Sequence, residues 1–547
     1  MSRSIAWFRR DLRIGDNPAL LEAISAGDEV VPVFILDPAL VGQAGSKRLA
    51  YLANSLRALD KQLNGNLHIA VGDQVEVLKD LMKRYDATSV HVSTEYEPYG
   101  AARDARVEAA GIPLVRTGSP YAVKPGRVVK PSDGTPYRVY TPFYRAWCAH
   151  GWRAPAKTPT KIPAVKPPAK YRAFPDFPMP AGVNVIAAGE KAALARFKEF
   201  TKKGLDSYDE NRNFAGIDGT SKMSTYLKFG EIHPRTLLAN LGESKAHDTY
   251  RKEIAWREFY ADVLFHNPHT IDGYYAERFA NMRYEDPGEK FKAWCEGKTG
   301  YPFVDAAIRQ LLTTGWMHNR TRMVVASFLV KDLHIEWQHG ANFFMEHLVD
   351  FDPASNSHGW QWTAGCGTDA SPYYRVFNPI LQGYKFDPRG DYVRKYVPEL
   401  AHIWDDGIHE PWNRLDGLVH GCPAPIVDHS VERDEALDAR GGGHQPTQRL
   451  QQGRQTFGRP GQAGDEHQRH GRAQQQLRAA LAGAEPGADP HRQRRHAPRK
   501  GQREHAQPQR VAAARVALPP QHEAEVVGAV DQRHRGEGRQ RAQVAAQ

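Results

Sequence analysis

Asp350, Asp352, Asn356, Trp360 and Trp362 fall within thirteen consecutive residues of one stretch, DFDPASNSHGWQWTAGCGTDASPYYRVFNPILQ, residues 350–382. Two carboxylates, a carboxamide and two indoles, with no apolar periodicity, suit a site that holds a planar, polar ligand. The two Trp are two residues apart. On a strand they share a face; on a helix they point roughly 200° apart, one inward and one into a cleft. A polar helix-to-loop junction with two packed Trp would use the same residues.

Three further stretches could carry chemistry with it. In DGTSKMSTYLKFGEIHPR, residues 218–235, the hydroxyls of Thr220, Ser221 and Ser224 precede a helical run. Hydroxyls and free amides at a helix start suit a phosphate, and they equally suit an ordinary cap. In TYRKEIAWREFYADVLFHNP, residues 249–268, Glu253, Trp256 and Arg257 stand at i, i+3 and i+4 on one helical face. A carboxylate beside an indole fits a cleft for a planar ligand, or an interhelical ion pair beside a core Trp. In GWMHNRTRMVVASFLVKDL, residues 315–333, Asn319, Arg322 and Met323 share a face at the polar end of an apolar helix. If buried, Arg322 needs an anionic partner, and Asp350 or Asp352 can supply it; at a solvated helix end it needs none. No HExxH or GxSxG is present, the histidines are scattered, and no metal site is expected. Many aromatics without a nucleophile or acid–base motif point to flavin or redox chemistry, or to base stacking.

The elements that position these residues read as two domains. Over residues 1–125, β-branched runs at 5–8, 30–36, 67–71, 90–93 and, more weakly, 114–116 alternate with helical stretches at 47–63 and 74–85. That alternation predicts a Rossmann-like parallel sheet with helices on both faces, without a GxGxxG or phosphate-loop motif. Residues 126–189 read as a linker whose Pro/Lys-rich part, 155–180, is irregular. Residues 190–440 carry helical periodicity and dense aromatics, predicting an all-α domain with helices over 192–201, 224–230, 249–265, 302–313, 319–333 and 341–348.

Charge and composition set limits. The net charge is +10, but residues 441–547 hold 18 Arg+Lys against 9 Asp+Glu, so residues 1–440 carry only +1. An acidic partner must be met by a local patch. That final segment is rich in Gln, Arg, Ala, Gly, His and Pro, with Phe457 its only aromatic, and is expected to be disordered. A basic nucleic-acid-binding tail or a shifted reading frame would look the same. The four cysteines, Cys148, Cys295, Cys366 and Cys422, form no metal or disulfide pattern, and no apolar run reaches membrane-spanning length. A cytoplasmic monomer is expected.

Together, in this order and spacing, the motifs resemble the DNA photolyase/cryptochrome family, specifically the class I cyclobutane pyrimidine dimer photolyases. The resemblance runs from WFRRDLR through QGYKFDPRGDYVRKYVPELA and HEPW to about Arg440. It implies an N-terminal antenna domain, a linker and a helical FAD domain. Tyr208, Thr220, Ser221, Lys222, Met223 and Ser224 would surround the FAD phosphates. Arg322, Asp350, Phe351 and Asp352 would lie beside the isoalloxazine. Asn356 would sit near flavin N5 and stabilise the reduced form. Glu253 would hydrogen-bond the dimer, with Trp256 and Trp362 as its aromatic wall. Arg257, Asn319, Arg320, Met323 and Gln382 would complete the lesion pocket and its DNA rim. The implied reaction is light-driven: excited reduced FAD lends an electron to the dimer of ultraviolet-damaged DNA, and the ring opens.

Met323 and Trp362 favour the cyclobutane dimer over the (6-4) photoproduct, and Glu253 with both Trp favours repair over cryptochrome signalling or a non-catalytic flavin- and DNA-binding module. The resemblance also implies an electron relay of three aromatic residues: Trp360, Trp337 and a distal position occupied by Tyr284, with Trp294 as a possible substitute. Asn213 and Ser357 depart from the family pattern. A second, antenna pigment would be 8-hydroxy-5-deazaflavin or methenyltetrahydrofolate, the deazaflavin being favoured by the run of YLANSLRAL and TEYEPYGAARD.

Overall fold

A computed structural model describes residues 1–368 and 375–441. The expected tail lies outside the described residues. The N-terminal part is a five-stranded sheet of β1 (Arg3–Phe8), β2 (Glu29–Leu36), β3 (His68–Val71), β4 (Ala87–Val92) and β5 (Leu114–Arg116). The order is β3-β2-β1-β4-β5, and each neighbouring pair is parallel. Along β1, Ile5 and Trp7 enter one core while Ala6 and Phe8 enter the other, so both faces are covered. This two-sided burial is why the strands read as continuous apolar runs.

The covering helices are α1 (Pro18–Ser25), α2 (Pro38–Gln43), α3 (Ser46–Gln62), α4 (Gln74–Tyr85) and α5 (Pro98–Ala109). Sequence periodicity found α3 and α4 but not the other three. Asn17 caps α1 by accepting from the Leu20 amide at 3.1 Å. Asp73 caps α4, which ends at Asp86 in the left-handed region, φ 50°.

The linker is not all connector. It contains α6 (Tyr140–His150), whose Tyr140, Phe143 and Trp147 pack into the helical core. Residues 155–180 are irregular apart from one short turn, as their composition predicts. Then follow α7 (Glu190–Lys203), α8 (Tyr208–Asn211), α9 (Met223–Phe229), α10 (Pro234–Leu238), α11 (Lys245–His266), α12 (Glu289–Glu296), α13 (Pro302–Thr314), α14 (Asn319–Lys331), α15 (Trp337–His347), α16 (Pro353–Ala364), α17 (Pro379–Phe386), α18 (Asp391–Tyr396) and α19 (His429–Gly441). Two clusters form their interior: one centred on α6, α7 and α11, the other on α13 to α18. Trp147, Trp294 and Trp337 are fully buried, each contributing roughly 2–3 kcal/mol of apolar burial. The helical part also completes the sheet's core: Phe229 and Val349 join Phe8, Leu20, Tyr51 and Leu59.

Candidate functional site

The stretch at residues 350–364 is a capped helix. Asp352 accepts from the Ser355 amide at 3.0 Å, Pro353 opens the first turn, and Gly365 at φ 84° ends it. Trp360 is therefore buried and Trp362 half-buried, on different sides of α16. The helix packs among α11, α14 and α15, which carry Glu253, Trp256 and Arg257, then Asn319, Arg320, Arg322 and Met323, and Trp337.

Arg322 on α14 binds Asp350 at 2.8 Å and donates to the Met317 carbonyl at 2.8 Å. The Asp350 side chain is fully buried, and its Oδ1 has no hydrogen-bond partner among the described residues. Of the two carboxylates that could serve Arg322, Asp350 does so, and Asp352 pairs elsewhere. Its carboxylate binds Arg10 of the loop after β1 at 2.8 Å, and the cap uses its second oxygen. Arg10 also pairs with Glu97. Burial opposes the Asp352 charge, but Arg10, then Arg257 and Lys228, hold its carboxyl well below the usual range. Phe351 lies between, with Arg48 5.2 Å and Lys228 5.7 Å from its ring centre.

The loop before α9 is pinned from two sides. Arg196 donates to the Thr220 carbonyl at 2.8 Å and the Ser221 carbonyl at 3.2 Å, and pairs with Asp218. The Tyr250 hydroxyl donates to Ser221 Oγ at 3.0 Å. Lys222 pairs with Asp218 at 2.9 Å and adopts a left-handed backbone, φ 57°, which turns the chain into Met223. Ser224 Oγ accepts from the Trp316 indole at 3.3 Å. Tyr208 is buried beside Tyr250, ring centres 5.1 Å apart, and burial followed by Glu253 raises its phenol well above the ordinary value.

On α11, Glu253 binds Arg212 at 2.5 Å, and Trp256 stacks on Tyr140, centres 3.6 Å apart and planes 7° apart. Arg257 leaves this group: it donates to the Pro120 carbonyl at 3.1 Å and lies 4.6 Å from the Tyr121 ring centre. Its Nη2 is buried without a hydrogen-bond partner among the described residues. Arg320 donates to Asn213 Oδ1 at 2.5 Å and lies 3.8 Å from Met323 Sδ. Asn319 is exposed, and Met323 and Gln382 are half-buried. Asn356 Nδ2 donates to the Ala341 carbonyl at 3.1 Å, which fixes its amide against α15.

Sequence reading did not single out Arg212 or His318 for the site. His318 caps α14, and burial, then Arg320, Arg322 and Arg212, lower its pKa to about 4, so it is neutral among three guanidinium groups. Neither residue has a local signal, because its role depends on partners from distant segments. Gln361, between the two Trp, also went unread. Its amide donates to the Thr270 and Gly273 carbonyls at 3.0 and 3.1 Å and accepts from the Tyr275 amide at 2.8 Å. It thereby clasps residues 270–275 to α16.

Arg212, Arg320 and Arg322 against Glu253 and Asp350 favour an anionic ligand. Asp350 Oδ1 is an acceptor awaiting a donor, and His318 Nε2 is likewise buried without a partner among the described residues. A flavin dinucleotide has both chemistries: ring N–H donors and a pyrophosphate. The residues present therefore fit FAD.

Fold and site define a class: a parallel-sheet domain sharing its core with a helical domain that carries a cation-rich, aromatic-walled site. The chain belongs to the DNA photolyase family. Residues 4–165 match the family model for DNA photolyase, and residues 250–441 match that for the FAD binding domain of DNA photolyase. The deoxyribodipyrimidine photo-lyase of Agrobacterium fabrum is 40% identical over 465 residues, covering 80% of this chain and 97% of the relative. That of Alkalihalophilus pseudofirmus is 38% identical over 466 residues, with the same coverages. Among solved structures, a bacterial class III photolyase from Agrobacterium tumefaciens is 38% identical, with TM-score 0.75, covering 81% of this chain and 97% of its own. These names do not separate class I, which the sequence resembles, from class III.

Proposed function

We propose that the protein repairs cyclobutane pyrimidine dimers in DNA in the light, using FAD held in the helical domain. The observation that carries this reading is the pairing of Glu253 with Arg212 beside the Trp256 ring, on a helix that packs against the Trp362 helix. Relatives named deoxyribodipyrimidine photo-lyase support it. When bound, reduced FAD supplies the photo-excited electron that opens the cyclobutane ring and takes it back afterwards.

The chain's own residues bind and orient. Tyr208 and residues 220–224 would hold the phosphates, Arg322 with Asp350 the polar ring edge, and Asn356 the ring's reactive side. Glu253 would hydrogen-bond the base edge of the dimer, its orientation fixed by Arg212, while Trp256 and Trp362 stack on it. The lesion must leave the duplex to reach this wall, and a distorted dimer is cheaper to extrude than a normal base. Asn319, Arg320, Met323 and Gln382 would contact the DNA around it. The N-terminal domain would carry an antenna, 8-hydroxy-5-deazaflavin or methenyltetrahydrofolate.

The test incubates reduced protein with ultraviolet-irradiated oligothymidine in light and in darkness. Recovery of thymine absorbance in light alone is expected. Bound FAD with no recovery would sink the repair reading in favour of a sensory or binding role.

A further inference from the structure

Oxidisable rings gather around α15 and α16, near the candidate flavin site. The edge of Trp360 lies against Gly340 of α15, where even a Cβ would overlap the indole, and Trp337 stands three residues earlier on the same helix. Trp337 meets Tyr274 edge-on, ring centres 6.0 Å apart. The Tyr274 hydroxyl donates to Glu336 Oε1 at 2.7 Å and lies 3.2 Å from the Tyr284 hydroxyl. The Gln361 clasp on residues 270–275 holds Tyr274 in this place. The bridge between Glu285 and Ile335 ties the backbone beside Tyr284 to the start of α15.

The rings differ in what surrounds their acidic protons. Removing one electron from an indole or phenol strongly acidifies its N–H or O–H. The positive charge is trapped only where a base can take that proton. Among the described residues, the indole nitrogens of Trp360 and Trp337 have no hydrogen-bond partner. Trp294, 6.3 Å from Trp360, gives its N–H to the Val325 carbonyl, a neutral acceptor that cannot keep a proton. Tyr274 alone among these four donates to a carboxylate. Glu336 is half-buried, which leaves it in reach of solvent.

We propose that Tyr274 is the terminal redox residue of this relay and that Glu336 takes its phenolic proton. The inference rests on the flavin reading above. Oxidised Trp337 regains one electron from Tyr274; the Tyr274 O–H bond breaks and an O–H bond forms on Glu336. The products are intact Trp337, a neutral tyrosyl radical and a protonated Glu336. A thiol in solution then returns one electron to the tyrosyl, Glu336 returns the proton, and the thiol's own proton goes to water. The distal position expected at Tyr284 moves to Tyr274, with Tyr284 as its hydrogen-bonding neighbour.

The experiment follows light-driven flavin reduction in purified holoprotein with a thiol donor, together with electron paramagnetic resonance of the trapped radical. Tyr274→Phe should lower the reduction yield at least about tenfold, while repair by chemically prereduced protein stays within about twofold. Glu336→Gln should slow radical formation about tenfold. Tyr284→Phe should change the yield less than about threefold, and Trp294→Phe not at all. In wild-type protein, ring-deuterated tyrosine should narrow the radical signal and ring-deuterated tryptophan should not, a result that needs no variant to fold. Full yield in Tyr274→Phe, or a signal narrowed only by labelled tryptophan, overturns the relay while flavin is bound. Wild-type protein without flavin overturns the flavin reading, and the relay with it.

Discussion

Glu253 and Arg212 lean on each other, so each holds the other in place. Glu253→Gln keeps the shape and removes the charge. Repair should fall by about tenfold, worth about 1.4 kcal/mol of lost interaction, with FAD content unchanged. Light-driven thymine recovery per bound flavin measures it. In the proposed DNA rim Arg320 would act differently, because a rim cation attracts the DNA backbone regardless of sequence. Arg320→Gln should weaken binding to damaged and undamaged duplex alike and lower the slope of log K against log salt by about 0.9. Asn213 enters here, since its neutral amide now holds Arg320. Asn213→Asp would turn that bond into an ion pair and offset the cation, shifting the slope the same way. At this scale the sequence was legible in residue types and opaque in partners. Arg322 announces its need for a carboxylate, but Asp350 and Asp352 satisfy that need equally well on paper. Only the fold sends Asp352 to Arg10, 342 positions away.

Helices and strands were read where one periodicity held over a long run. β1 to β5 emerge from apolar β-branched runs, and α13 and α14 from apolar faces uninterrupted by special residues. α1 and α2 were missed because each is short, and α5 because its buried face, Gly100, Asp104 and Val107, is hardly apolar, although Pro at the first turn of each is a start signal. α6 was hidden because its aromatics fall inside a stretch whose Pro and Lys content reads as linker. α16 has no apolar stripe at all, being buried on most sides, so its helical character was left open. One close approach makes an element-level test. At Gly340, an added Cβ would overlap the Trp360 indole and lie 2.6 Å from Leu329 Cδ2. Gly340→Ala should destabilise the protein by about 1–3 kcal/mol through overpacking and loosen the bound flavin. Thermal unfolding and retained flavin absorbance report the two effects separately.

Across the whole molecule, charges buried between the sheet and the helices tie the two parts together. Arg10 bridges Glu97 and Asp352, and Arg48 donates to the Leu348 carbonyl at 2.9 Å. Glu231 is one titratable member of this junction. It accepts from the Tyr51 hydroxyl at 2.7 Å and from the Gly189 amide at 2.6 Å, joining α3, the linker and the loop after α9. Burial raises its pKa to about 7. The folded protein therefore keeps this proton between about pH 4.5 and 7, where the unfolded chain has lost it. Glu231's contribution to stability is full below that window and declines as pH rises through it, by at most about 3 kcal/mol. Glu231→Gln should flatten this part of the profile, as read from urea midpoints at about pH 5 and 7.5. A steeper profile in the variant would contradict the assignment.

Phe229 and Val349 close the hydrophobic core of a sheet whose own last strand ends at Arg116. On the ribosome this imposes a wait. The chain emerges from its N-terminus at roughly 5–20 residues per second, so Val349 follows Arg116 by about 12 to 47 seconds. Until then Phe8, Leu20 and Leu59 lack part of their cover, and the nascent sheet presents a greasy seam to chaperones or to its own copies. The sheet domain is made first but finished last, and a stalled or truncated chain ending before Val349 should aggregate where the full chain does not.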